Sequence, residues 1–266
     1  MKVLVCGDVV GMSGRNSVEK FLPKLKTDKE IDFIILNGEN AAGGFGINKN
    51  ICKSFYNLGV DVITTGNHVW DQKDIISHIE KDERLLRPHN YPIDTPGKGF
   101  GIFATNTGIK IAVINIMCRL FMEALDDPFR VLEEILDKTK NFGSKLVTIV
   151  DVHGEATSEK MAIGHFLDGK VTAVVGTHTH VPTADMQILE KGTFFQTDLG
   201  MCGDYDSVIG MNKLISLKRF RNKHVKIRHQ PADGEATFCA VLLSINENSL
   251  KVDNFEQLLI GGKIGM

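Results

Sequence analysis

Five short runs of Val, Ile and Leu punctuate this chain, and each stops abruptly at small or polar residues. Residues 3–6 run into Gly7-Asp8, and 31–36 into Asn37-Gly38-Glu39-Asn40. Residues 60–63 run into Thr64-Thr65-Gly66-Asn67-His68, and 146–150 into Asp151-Val152-His153. The last, 171–175, ends in Gly176-Thr177-His178-Thr179-His180. Continuous apolar runs of this length suit strands buried on both faces. Segments of helical period lie between them. They span 17–25 (weakened by Pro23), 49–58 behind Asn48 as N-cap, 71–79, 128–139, and 158–167 behind Thr157 as cap. Strands alternating with helices predict an α/β fold. Residues 101–104 and 110–116 flank the turn signal Thr105-Asn106-Thr107-Gly108 and predict a hairpin. Residues 193–196, 236–245 and 250–255 read as antiparallel strands, the last two joined by a turn at 246–249. No repeat or change of composition divides the 266 residues, so one domain over 1–266 is expected.

Bulk properties narrow the function. A formal net charge of -2 supplies no basic field for nucleic acid or an anionic membrane, so no stable nucleic-acid complex is expected and phosphate chemistry must be arranged locally. No apolar run approaches the roughly 18 residues of a membrane span, and the apolar start is too brief for a signal peptide. Cys6, Cys52, Cys118, Cys202 and Cys239 are scattered and form no C-x-x-C pair, which argues against a disulfide framework and a thiolate zinc site. A cytoplasmic protein is expected. Gly43-Gly44-Phe45-Gly46 suggests a mobile loop but lacks the Lys-Ser/Thr of a P-loop.

The strand ends carry the chemistry. Asp8, Glu39, Asn40, Asn67, His68, His153, His178 and His180 all stand at or just beyond them, where open α/β sheets bind their ligands. Singly, each has an ordinary explanation as a turn residue, a cap or a hydrogen-bonded histidine. Five strand ends supplying such groups together point to one site. Carboxylate, amide oxygen and imidazole without thiolate suit manganese, iron or catalytic zinc. There are too many donors for one ion. With one shared carboxylate, for which Glu39 is the candidate, they fit two ions about 3.5–4 Å apart. If the segment 178–180 is extended, His178 and His180 point the same way and can reach adjacent ions.

The blocks GDVVG (7–11), NGENAAGG (37–44), GNHVWD (66–71), DVHGEATSEK (151–160) and GTHTHVPTAD (176–185) resemble the calcineurin-like metallophosphoesterases. Together with RPHNYP (87–92), TDLGMCG (197–203) and SVIGM (207–211), they resemble the bacterial YmdB-like branch along nearly the whole chain. The resemblance implies an α/β/β/α sandwich, with two mixed sheets flanked by helices. It implies two di- or trivalent transition-metal ions, iron or manganese with zinc as an alternative, and hydrolysis of phosphodiesters including 2′,3′-cyclic nucleotides. The superfamily usually opens with Asp-x-His and bridges its metals with Asp; here Asp8-Val9-Val10 and Glu39 stand in those places. Carried over by position, one ion takes Asp8, Glu39, Asn40 and His180, and the other takes Glu39, Asn67, His153 and His178. The expected mechanism is attack by a metal-bridging hydroxide, with His68 giving a proton to the leaving group. Thr179 and Phe45 are expected at the substrate. Asp71, Glu155 and Thr157 are possible supporting residues, and Trp70 could stack a base or pack in the core. Few cations besides Arg15 and Arg87 adjoin these motifs, which favours diesters over dianionic monoesters. The alternatives are a phosphomonoesterase or nucleotidase on the same centre, and a non-catalytic nucleotide sensor. A homo-oligomer is compatible with the sequence.

Overall fold

The computed structural model describes residues 1–106, 108–139, 145–222, 224 and 226–265. Its layers follow from the first apolar run. In β1 (Lys2–Cys6), Val3 and Val5 face one core while Leu4 and Cys6 face another. Both faces are dry, so the run needs no polar alternation. β3 (Phe33–Asn37) pairs parallel with β1, and β4 (Val62–Thr64) parallel with β3. On the other side β12 (Ala236–Ile245) runs antiparallel to β1 and carries β13 (Val252–Ile260). β11 (Met201–Asp204) joins β12, and the two-residue β2 (Asp8–Val9) completes this seven-stranded sheet.

The second sheet has six strands. The hairpin β5 (Phe100–Ala104) and β6 (Lys110–Met117) leads into β7 (Leu146–His153), β8 (Ala173–Thr177) and β10 (Phe194–Gln196), edged by β9 (Gln187–Ile188). β6, β7, β8 and β10 are mutually parallel. The sheets face one another through Val5, Ile35 and Leu243 on one side and Val113, Ile149 and Val175 on the other. Each such fully buried side chain contributes about 1.5–3 kcal/mol. α1 (Gly11–Asp28), α2 (Lys49–Asn57) and α3 (Ile75–Ile79) cover the outer face of the first sheet. α4 (Pro128–Thr139) and α5 (Thr157–Leu167) cover that of the second. The result is the expected α/β/β/α sandwich of two mixed sheets.

Several local expectations change. α1 begins at Gly11 rather than near residue 17, and it continues through Pro23. Its first turns are built from Ser13, Gly14 and Ser17, which lie against the sheet so closely that a Cβ on Gly14 would sit 2.2 Å from the Cys202 carbonyl oxygen. Close backbone packing leaves no apolar period to read. Packing of Val18 and Leu22 holds the helix across the bond that Pro23 cannot make. Asn48 caps α2 through Ile51 N, as expected. Thr157 is the first helical residue of α5, whose N-cap Ala156 makes no side-chain bond. α3 begins only at Ile75. Residues 194–196 do not join the C-terminal antiparallel strands. They pair parallel with β8 in the other sheet. The hairpin forms as expected, with Thr107 of its turn outside the described residues. The glycine-rich segment forms a turn in which Ala42 N donates to Gly46 O at 2.8 Å, and Gln72 Nε2 donates to Phe45 O at 2.7 Å. No helix among the described residues is long and apolar enough to cross a membrane.

Candidate metal centre

β1, β3, β4, β7 and β8 deliver their C-terminal ends to one edge of the sandwich, and seven side chains meet there. Ligand atoms of Glu39, His153 and His178 lie within 4.8 Å of one another, and so do those of Asp8, Glu39 and His180. Glu39 belongs to both groups. His153 Nε2 is the centre of the first: it lies 3.2 Å from Glu39 Oε2, 3.1 Å from Asn67 Oδ1 and 3.1 Å from His178 Nδ1. Such spacings between donors are those of ligands around one small cation with bonds of about 2.0–2.2 Å.

Outer partners decide which ring nitrogens look inward. Thr177 Oγ1 gives its proton to Asp151 Oδ1 at 2.7 Å, so it accepts from His153 Nδ1 at 2.9 Å and leaves Nε2 for the centre. His180 Nδ1 donates to the Ile209 carbonyl at 2.8 Å, turning its Nε2 inward. Glu155 Oε2 lies 3.2 Å from His178 Nε2 and leaves Nδ1 for the centre. Asn40 is oriented differently from a ligand: its amide nitrogen donates to Glu39 Oε1 at 2.9 Å and faces His180 Nε2 at 3.1 Å. Rotation of the amide by half a turn presents its oxygen instead.

His178 and His180 do not lie on an extended segment. β8 ends at Thr177, and the two histidines have φ values of +100° and +65°, in the left-handed region. They reach different ligand groups through a strained turn, not through strand alternation. The β4 loop passes so close that a Cβ on Gly66 would lie 2.1 Å from His153 Nε2 and 2.2 Å from Glu39 Oε2. Only glycine fits there.

The electrostatics suit a cation. Burial, helped by Glu39 and Asp198, pushes the Asp8 carboxyl well above its ordinary range against the pull of His153. Burial would raise Glu39 too, but His153, with His68 and His178, holds it at about 2. His153 is drawn down by burial yet raised overall by Glu39, Asp8 and Asp151. His178 is pushed down to about 3 by burial and by His153. Burial also lowers His180. Asp8 Oδ1 is buried without a hydrogen-bond partner among the described residues. The upward shifts of Asp8 and His153 both favour the protonated forms. A cation would compete with protons for these groups, so its affinity would fall as the pH falls. The donor set, the inward lone pairs and the orphaned oxygen therefore fit a metal centre.

The family described as YmdB-like protein matches residues 4–258. This chain belongs to the YmdB-like family. It is 44% identical over 260 residues to a 2′,3′-cyclic-nucleotide 2′-phosphodiesterase of Bacillus subtilis, covering 98% of this chain and 97% of that protein. A crystal structure of a hypothetical protein from Thermus thermophilus is similar with TM-score 0.91 at 40% identity, covering 99% of this chain and 100% of the other. A phosphatase structure from Mycoplasma pneumoniae has TM-score 0.89 at 34% identity, covering 98% and 93%.

In this YmdB-like protein a cleft of about 370 Å³ opens over the centre. Glu39, Asn40, His178 and His180 line its floor, while Phe45, His68 and Thr179 stand on its walls. His68 Nδ1 lies 2.8 Å from Asp71 Oδ2, and Phe45 meets the ring edge-on at 4.9 Å between centroids. Trp70 is absent from the cleft lining and packs edge-to-face on Tyr91. Arg87 is also elsewhere, donating to the carbonyls of Thr95, Pro96 and Pro88.

The sequence reading assigned no role to the layer beneath the centre. Asp151 accepts from Thr64 Oγ1 at 2.5 Å and Asn37 Nδ2 at 3.3 Å as well as from Thr177, tying the two sheets together under the ligands. Asn37, Thr64 and Thr177 are the last residues of their strands, so a polar residue closing an apolar run was the available signal. Lys160 and Asp198, buried as an ion pair at 2.8 Å, had no such signal.

Proposed function

We propose that this protein is a metal-dependent phosphodiesterase that opens 2′,3′-cyclic nucleotides at a centre of two transition-metal ions. The observation that carries this reading is the pair of ligand groups joined at Glu39 on the floor of a cleft. The activity named for the Bacillus subtilis relative, similar over almost its whole length, supports the substrate class.

Asp8, Glu39, Asn40 and His180 would hold one ion, and Glu39, Asn67, His153 and His178 the other. Bound there, iron or manganese, or alternatively zinc, supplies charge to neutralise the phosphate and acidifies a water for attack. The remaining work belongs to the chain. Asp71 accepts the Nδ1 proton of His68 and fixes the ring on the cleft wall, with Nε2 as the nitrogen free to serve the substrate. A proton passed from Nε2 to the departing 2′ oxygen completes cleavage of the P–O2′ bond and leaves a 3′-phosphate. Thr179 and Phe45 bound the phosphate and sugar from either side of the floor.

The test is steady-state turnover of a 2′,3′-cyclic mononucleotide by metal-loaded protein, beside p-nitrophenyl phosphate as monoester. The diester should be the better substrate by kcat/KM. His68→Ala should retain both ions and lose about 10²–10⁴-fold in kcat, the range for a general acid. Slow turnover by the metal-loaded protein that is unchanged in this variant would support the sensor reading, and preference for the monoester would support a phosphatase.

A further inference from the structure

The cleft does not end at Phe45. Beyond that ring lies a second groove of about 570 Å³, whose lining includes Arg15, Asn48, Gln72 and Arg228, with Phe45 as the shared wall. Its character differs from the cleft. The cleft wall formed by Val208, Ile209 and Met211 is apolar. The groove instead offers two guanidinium groups, neither of which has a carboxylate within ion-pair distance among the described residues. Arg15 donates to the Ala41 carbonyl, beside Asn40, and Arg228 is exposed. Asp71, the one carboxylate in the lining, is turned to His68.

Unpaired guanidinium groups beside a phosphodiester site call for a second anion, and planar bidentate recognition of phosphate is their usual use. Phe45 is presented between the two spaces by a turn in which Gly43, Gly44 and Gly46 have φ values of +65°, +89° and +74°. The loop holds that ring through the Gln72 bond to the Phe45 carbonyl. The ring is half-buried at this boundary, against His68 and His229. Phe45 is common to the linings of cleft and groove, so the two occupants can belong to one molecule.

Resting on the function proposed above, we infer that the substrate is a short oligoribonucleotide ending in a 2′,3′-cyclic phosphate, with its neighbouring phosphate held in the groove by Arg15 and Arg228. The terminal ring is hydrolysed at the centre: the water oxygen bonds to phosphorus, the P–O2′ bond breaks and the 2′ oxygen takes a proton. The internal diester in the groove is bound and not cleaved. A single phosphate on two local cations needs no basic surface, which is consistent with a net charge of -2. Reactions that supply such ends are those in which a ribose 2′-hydroxyl attacks its own 3′-phosphodiester.

The test compares kcat/KM for a 2′,3′-cyclic mononucleotide with that for a ribodinucleotide carrying the same cyclic end. The wild type should prefer the dinucleotide by about tenfold or more, expressed in KM. Arg228→Gln, at an exposed side chain, should abolish most of that preference while leaving mononucleotide turnover unchanged. It should also lower the slope of log(kcat/KM) against log salt for the dinucleotide by about 0.7, one single-strand phosphate contact. Arg15→Gln should act in the same direction. Equal kcat/KM for the two substrates, or equal losses on both in Arg228→Gln, would overturn the inference and leave the proposed function standing. No turnover of either would remove both.

Discussion

At the proposed two-ion centre, Glu39→Gln should release both ions, whereas His178→Ala and His180→Ala should each release one. The asymmetry follows from the geometry. His178 belongs to one ligand group and His180 to the other, while Glu39 alone among the His, Cys, Asp and Glu side chains of the described residues stands in both. Glutamine keeps the shape of the side chain but not the carboxylate, held at about 2 with His153 beside it, that two cations can share. Loss of an outer partner of a metal ligand already costs about 10–100-fold in affinity or activity. Loss of the shared ligand should exceed that, so kcat/KM should fall by more than about 100-fold. Elemental analysis of the three variants after identical loading checks the pattern. Retention of one equivalent by Glu39→Gln would mean that Glu39 serves a single ion.

Lys160→Met should give the largest loss of stability. Lys160 Nζ donates to the Thr177 carbonyl at 2.6 Å and to Asp198 Oδ2 at 2.8 Å, with both residues buried. Asp198 in turn accepts from Thr179 N at 3.0 Å and Gly200 N at 2.9 Å, and Tyr205 donates to the His180 carbonyl at 3.0 Å. These bonds clamp residues 177–180 around two histidines in left-handed conformations, each of which costs about 1–3 kcal/mol. Methionine keeps the length of the side chain but leaves Asp198 buried without its cation. Breaking a buried pair from one side costs about 3–5 kcal/mol. Denaturant unfolding should show a loss of that size in the metal-free protein, and adding Asp198→Asn should recover part of it. A loss under about 1 kcal/mol would mean that the pair does not hold the turn.

The sequence exposes some layers of this architecture far better than others. Strands buried on both faces declare themselves as unbroken apolar runs, and Asp8, Glu39, Asn67, His153, His178 and His180 stand at or just past their ends. Linear position along a strand therefore carried over into proximity in space. The start of α1 was hidden because Ser13, Gly14 and Ser17 pack by being small, and smallness has no helical period. The parallel pairing of residues 194–196 with β8 was hidden because a three-residue strand does not reveal its partner. Strand periodicity suggested why His178 and His180 alternate, but the backbone uses two left-handed residues instead, in a turn bonded to Lys160 and Asp198 from other parts of the chain. Long-range ion pairs of that kind leave no local trace in a sequence. Arg15 could be read as a nearby cation, while Arg228 reaches the same groove only through the fold.

Crystals reconstituted with Mn²⁺ and measured by anomalous scattering test the centre most directly. Two peaks are expected about 3.5–4 Å apart, one among Asp8, Glu39 and His180 and the other among Glu39, His153 and His178. A single peak, or peaks away from Glu39, would contradict the account.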